Sequence, residues 1–244
     1  MKQPGKIHIG TSGWHYAHWR GPFYPDKLPA SKMLEFFTKH FDTVELNNTF
    51  YRLPAPGGVE SWRDSTPKEF LFSAKGSRFL THMKKLKDSG PGIDKFFERV
   101  SPLGRKLGPI VFQLPPFWEV NEERLDLFLR ALPRRRRYVF ELRNPTWHTE
   151  PVYRILRRHN AAFCIFEIAG FRSCFEVTAD FTYVRLHGPG AAYQGAYTDA
   201  ALREWAARIR ESRHSLRAVY VYFDNDQAAH AVNNALTLKR LIEK

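Results

Sequence analysis

A chain of 244 residues with 43% hydrophobic and 15% aromatic residues is long enough for one large core and too apolar for a disordered polymer. No apolar run reaches the length of a membrane span, and the opening MKQPGKIHIG is charged without an apolar stretch, so neither a membrane protein nor a signal peptide is expected. The net charge of +13 points to polyanions or anionic metabolites as partners, while Cys164 and Cys174 are too few for a disulfide framework and lack zinc spacing, which places the expected setting in the reducing cytoplasm.

Eight short runs rich in β-branched and aromatic residues, each bounded by breakers, predict strands at 7–13, 43–49, 70–76, 109–115, 138–144, 162–168, 181–188 and 218–225. Helical patterns fall between most of them. Met33, Leu34, Phe36, Phe37 and Phe41 mark a helix after the first strand, and shorter helices are expected near 58–65 and 150–159. Ile93, Phe96, Phe97 and Val100 follow i, i+3, i+4, i+7, as do Leu125, Phe128, Leu129 and Leu132 behind an Asn121 cap. Leu202, Trp205, Ala206 and Ile209 repeat the spacing, opening at Thr198 or Asp199, and a last helix covers about 228–242. Alternating strands and helices imply parallel pairing with right-handed crossovers, so the predicted fold is α/β, a single (β/α)8 TIM-type barrel over residues 1–244. The connection 169–180, AGFRSCFEVTAD, shows no helical period, so no regular helix is expected between the sixth and seventh strands. An open doubly wound sheet would need a glycine-rich phosphate loop after the first strand, which is missing.

Side chains on a strand switch faces at every residue. One parity is apolar throughout, for example Val44 and Leu46, Phe140 and Leu142, Cys164 and Phe166, Val219 and Val221, and should lie under the helices. The other parity carries His8 and Ser12, Glu45 and Asn47, Ser73 and Lys75, Gln113, Glu141 and Arg143, Glu167, Arg185 and His187, Tyr222 and Asp224. These residues should point into the barrel, mostly near the C-terminal mouth where barrel enzymes place their sites. Buried charge is costly unless it is paired or serves a ligand. A structural explanation is a salt-bridged core in which Glu45, Glu141 and Glu167 neutralise Lys75, Arg143 and Arg185.

The stretches IGTSGWHYAHWRGPFYP, VELNNTFYRLP, VFQLPP, FELRNPTW, YVRLHGP and VYVYFDNDQAAHAVNNA resemble the YecE-like family, catalogued as domain of unknown function 72, over nearly the whole chain. The resemblance implies a TIM-type barrel and supplies no activity. Two residues depart from the family pattern it implies: His148 in place of an aromatic after PTW, and Asp224 where Asn is common.

Glu45 and Glu141 read as a paired general acid and base, with His187 as a proton shuttle. Lys75, Arg143 and Arg185 read as cations for an anionic group, with Asn47 and Gln113 orienting it, and phosphate is the anion that arginine pairs grip best. Trp14, Tyr51 and Trp147 are candidate stacking platforms, whereas Trp19, Phe23 and Tyr24 fit a self-packed lid better. The expected function is a metal-independent acid–base enzyme with no cofactor, acting on a small phosphorylated or nucleotide-like ligand. Two alternatives remain open: a non-catalytic nucleic-acid-binding protein, and a metal-dependent phosphodiesterase-like barrel. No metal ligands are assigned, because three cations share the ring. The run RRRR at 134–137 precedes the fifth strand, which puts it at the end opposite the mouth.

Overall fold

The computed structural model describes residues 4–243; residues 1–3, part of the stretch in which no leader was expected, and residue 244 lie outside it. The barrel strands are β1 (Lys6–Thr11), β2 (Thr43–Leu46), β3 (Leu71–Lys75), β4 (Leu107–Leu114), β5 (Tyr138–Leu142), β6 (Ala162–Ile168), β8 (Phe181–Leu186) and β9 (Ala218–Phe223), with a two-residue strand, β7 (Phe171–Arg172), between β6 and β8. The order β1-β9-β8-β6-β5-β4-β3-β2 is parallel throughout, and β7 hangs antiparallel on β6. The helices are α1 (Met33–Phe37), α2 (Asn48–Tyr51), α3 (Gly58–Asp64), α4 (Gly90–Val100), α5 (Glu122–Ala131), α6 (Glu150–Arg158), α7 (Asp199–Ser212) and α8 (His230–Glu243). The cap read from the sequence forms, with Asn121 Oδ1 accepting from Arg124 N at 2.9 Å; of the two openings expected for α7, Thr198 is the cap, its Oγ1 accepting from Ala201 N at 3.2 Å. Among the described residues no helix is long and apolar enough to cross a membrane.

The two end strands, β1 and β2, nearly close the barrel. Their approach is so tight at Gly10 that a Cβ there would stand 2.2 Å from Thr43 O, so only glycine fits. The seam is clasped at the mouth, where Gly13 N donates to Glu45 O at 2.8 Å and Ser12 bridges Glu45. Glu45 therefore sits on the last turn of the closure.

The connection 169–180 holds no helix. Ala169 and Gly170 both take positive φ, as a two-residue hairpin turn requires, and return the chain as β7. The segment then runs alongside β6. There Ser173 Oγ accepts from Phe166 N at 2.9 Å and Thr178 Oγ1 accepts from Phe163 N at 2.7 Å. Two hydroxyls thus satisfy backbone donors of β6, whose pairing with β5 covers only Val139–Ala162 and Phe140–Phe163.

The outer faces of the strands and the helices share one core, including Val44, Phe72, Phe112, Phe140, Val184 and Val221, all fully buried. A separate inner cluster fills the lower barrel with Val111, Val139, Cys164, Phe166, Phe181, Tyr183, Tyr220 and Tyr222. The parity expected for β6 is reversed. Paired residues of parallel strands share a face, and Glu167 pairs with Leu186 while Cys164 pairs with Tyr183. Cys164 and Phe166 therefore point inward and Glu167 points out, where it accepts from Arg172 Nε at 2.9 Å and Trp205 Nε1 at 3.3 Å. Glu167 leaves the ring. The remaining inward assignments hold for Glu45, Lys75, Gln113, Glu141, Arg185, His187, Tyr222 and Asp224.

Candidate functional site at the barrel mouth

Five of these residues, joined by Arg143, form one ion-pair hub. Arg185, fully buried on β8, donates through Nη1 to Glu141 Oε2 at 2.5 Å, and through Nη2 to Glu45 Oε1 at 2.6 Å and Asp224 Oδ2 at 3.1 Å. Glu45 also accepts from the Ser12 hydroxyl and, at 2.6 Å, from Tyr183. The second oxygen of Glu141 accepts from Arg143 Nε at 2.5 Å. His187 Nδ1 lies 3.0 Å from Asp224 Oδ2, and its Nε2 lies 3.4 Å from Glu141 Oε1. Because the aspartate oxygen can only accept, it fixes the proton on Nδ1.

The electrostatics follow from this wiring. Burial pushes the Glu141 carboxyl up, but Arg143, Arg185 and His187 outweigh it and hold the group well below the usual carboxylate range. Asp224 is likewise burdened by burial, yet Arg185 and His187 bring it down to about 2. Both stay ionised at neutral pH with their oxygens occupied. In this geometry Glu45 and Glu141 are partners of arginine first, and neither has an oxygen free for a substrate proton. Arg185 is equally committed to three carboxylates, so its expected role of gripping an anion is not met: it lies beneath the mouth as the centre of the hub.

The side of the mouth made by β3 and β4 is different. Lys75, the last residue of β3, is 6% exposed, and among the described residues its Nζ makes no hydrogen bond or ion pair. It stands 4.5 Å from the centroid of the Phe50 ring. Burial and then Arg185 lower its pKa to about 8. Gln113, diagonal to Lys75 on the neighbouring strand and also buried, has an unpartnered Oε1. Asn47 donates through Nδ2 to Asp224 Oδ1 at 3.3 Å, which leaves its Oδ1 buried and unpartnered. Buried polar atoms are normally satisfied, so orphans gathered at one mouth are what a bound polar molecule would complete. His82, in the turn after β3, reports the local field: burial, then Lys75, Arg78 and Arg143, push its pKa down to about 4.

The aromatic candidates separate. Tyr51 is 73% exposed at the rim. Trp14 packs edge-on against Trp62, with centroids 5.3 Å apart, and lines a cavity of about 670 Å3 beside the β1–β2 seam, next to Asn47 and Tyr16. Trp147 is fully buried: its Nε1 donates to Trp118 O at 2.7 Å and its ring packs 5.1 Å from that of Trp118, so the expected stacking role is corrected to a structural one. Trp19 and Tyr24 are buried and Phe23 is half-buried; they pack on one another and also against Phe36, Phe37 and Phe41, so they join the outer core rather than forming a self-packed lid. Sequence reasoning missed three rim residues. Phe117 is 72% exposed with Lys85 5.6 Å from its centroid, Met83 is exposed in the loop after β3, and Tyr193 offers a face to Arg143 and packs edge-on over His187. Tyr193 sits in the glycine-rich segment HGPGAAYQGAY, which was the available signal.

No three His, Cys, Asp or Glu residues among the described ones are arranged to hold a metal ion, since the mouth carboxylates all turn on arginine. The arginine run lies at the opposite end, where Arg134, Arg135 and Arg136 line a cleft of about 600 Å3 with Arg130, Arg158 and His159.

A family model described as "Protein of unknown function DUF72" matches residues 8–244. The chain belongs to that family. It is 24% identical to UPF0759 protein YunF of Bacillus subtilis over 97% of this chain and 95% of that one. It is 33% identical to UPF0759 protein YecE of Escherichia coli over 57% of this chain and 49% of that protein. A crystal structure of a DUF72 family protein from Thermotoga maritima superposes with a TM-score of 0.88 at 26% identity, covering 98% of this chain and all of the other. A glycoside hydrolase family 5 enzyme from Prevotella bryantii shares the fold alone, with a TM-score of 0.55 at 9% identity.

Proposed function

We propose that this DUF72 barrel binds a small phosphorylated or nucleotide-like ligand at its C-terminal mouth and acts on it by acid–base chemistry that calls on no metal. The observation that carries the reading is Lys75: a buried cation that makes no direct ion pair among the described residues, beside unpartnered amide groups, at the end of a barrel strand. A protein retains such a group against its desolvation cost where function requires it. An anion placed between Lys75, Arg78 and Arg143 would discharge the positive field that His82 experiences. Gln113 and Asn47 would orient the ligand, and Tyr51, Phe117 and Tyr193 would cover its planar part.

The proton-transfer role moves accordingly. Glu45 and Glu141, cast first as acid and base, serve in this reading to hold Arg185, while the Lys75 amine, with a pKa of about 8, is the group matched to proton transfer near neutrality. His187, held by Asp224, is the second proton carrier. Two free cysteines, Cys164 buried and Cys174 exposed, suit a reducing cytoplasmic setting.

Thermal-shift titration with matched pairs tests the reading: adenosine against AMP, glucose against glucose 6-phosphate, and a short oligonucleotide at two salt concentrations. The phosphorylated member of a pair should raise Tm, and the rise should vanish in Lys75→Met. Stabilisation by the oligonucleotide alone, falling steeply with salt and removed by replacing Arg134, Arg135 and Arg136 with alanine, would transfer the function to the arginine cleft. Equal response to both members of every pair would sink the phosphate reading.

A further inference from the structure

We propose that the Lys75 amine is a covalent nucleophile, which forms an imine with a small anionic substrate carrying an aldehyde or ketone. This deepens the reading of the same mouth and rests on it for the anionic part of the substrate. Lys75 is the only buried lysine among the described residues. Its backbone is pinned from both sides: Lys75 O accepts from Thr49 Oγ1 at 2.6 Å, and the next residue, Gly76, donates to Val111 O at 2.8 Å. Its head is held over the Phe50 ring rather than by a carboxylate. A lysine used for structure is ordinarily paired when buried. Among the described residues this one keeps its amine without a direct partner, where burial and the nearby Arg185 outweigh the more distant carboxylates, a setting of the sort that activates lysine nucleophiles.

The step balances without a co-reactant. The ammonium first loses its proton, and the nitrogen lone pair then adds to the carbonyl carbon as the carbon–oxygen π bond breaks. The carbinolamine loses its oxygen together with both amine hydrogens as water, leaving a carbon–nitrogen double bond. Gln113, with an unpartnered amide oxygen beside Lys75, is placed to hold the carbinolamine hydroxyl. The charged groups around the amine are Arg185, Glu45, Glu141 and Asp224 from the hub, with Arg78, His82 and Arg143 at the rim; burial and Arg185 together leave its pKa at about 8, so a useful fraction is free amine near neutrality.

Glycolaldehyde phosphate and glycolaldehyde are the probes, each incubated with the full chain and cyanoborohydride, which reduces an imine to a stable secondary amine that peptide mass mapping locates. Lys75 should be labelled before any surface lysine, with an initial rate rising through about pH 8, and Lys75→Met should lose that early label while retaining the slow surface labelling. Early labelling by both aldehydes at equal rates keeps the nucleophile and removes the phosphate preference. Labelling spread over surface lysines with Lys75 last overturns the nucleophile, and leaves the phosphate reading to the thermal-shift pairs above.

Discussion

The two halves of the mouth treat charge in opposite ways. On the side of β1, β2, β5, β8 and β9, Glu45, Glu141 and Asp224 face Arg185, Arg143 and His187, and nearly every polar atom has a partner. On the side of β3 and β4, Lys75 Nζ and Gln113 Oε1 have none among the described residues. The same barrel interior therefore contains a structural solution to buried charge and, a few residues away, an unsolved one. A saturated network holds its geometry but has little left for a ligand, whereas an uncompensated cation costs stability and keeps its bonding capacity. The salt-bridged core foreseen from the sequence is thus half right: Glu45 and Glu141 meet the arginines, but Glu167 lies outside with Arg172, Asp224 takes a place on Arg185, and the lysine is left out.

The largest test of that contrast is Arg185→Met. Removing the hub cation leaves three carboxylates facing one another in a dry interior, where breaking even one buried pair costs about 3–5 kcal/mol. The substitution should cost at least about 4 kcal/mol by urea denaturation, a large share of the stability of a domain this size. Adding Glu45→Gln and Glu141→Gln to it should recover part of the loss. The network also has an acid limit. Glu141 and Asp224 have folded pKa values below their unfolded ones, so they stabilise above the ordinary carboxylate range, and that stability is lost as the pH falls towards about 2. A loss under about 1 kcal/mol for Arg185→Met would mean that the hub is not structural.

Lys75→Met should act in the opposite direction. A lysine lowered from the usual value near 10.4 to about 8 costs the folded state about 3 kcal/mol at neutral pH. Methionine fills similar space without charge, so the variant should be more stable than the parent by about 2–3 kcal/mol. The sign can be followed with pH. The unfolded chain binds the proton more tightly, so the parent gains stability as the pH rises from about 8 to near 10.4, and the gap between the two proteins should close over that window. A variant less stable than the parent at pH 7 would show that Lys75 is paired in solution and belongs with the hub.

The sequence carried the architecture because its two periods are unambiguous: apolar outward faces on most strands, and i, i+3, i+4 stripes such as Ile93, Phe96, Phe97 and Val100 between them. It also placed Glu45, Lys75, Glu141 and Arg185 in one ring, since parity fixes the face of each. Parity failed on AFCIFEI, where both faces are apolar and Glu167 alone suggested an inward side; the glutamate instead lies under α7 against Trp205 and Arg172. Pairing was illegible for a different reason. Which cation meets which carboxylate depends on strand tilt and side-chain reach, so nothing in the spacing separates the committed Arg185 from the uncommitted Lys75. Trp147 shows the same gap among aromatics, because its burial depends on Trp118 from another loop.

The smallest effect concerns the rim. Tyr51 and Phe117 are the most exposed large hydrophobic side chains among the described residues, at 73% and 72%, and both stand beside the uncompensated half of the mouth. Neither fills a core, so Tyr51→Ala and Phe117→Ala should each change stability by no more than about 0.5 kcal/mol. If they cover the planar part of a ligand, each should still weaken the AMP-induced rise in Tm by the equivalent of about 1–3 kcal/mol of stacking, while leaving the response to glucose 6-phosphate unchanged. An unaltered AMP response in both variants would confine recognition to Lys75 and its neighbours, and the aromatic rim would then be scattered surface apolarity of the ordinary kind.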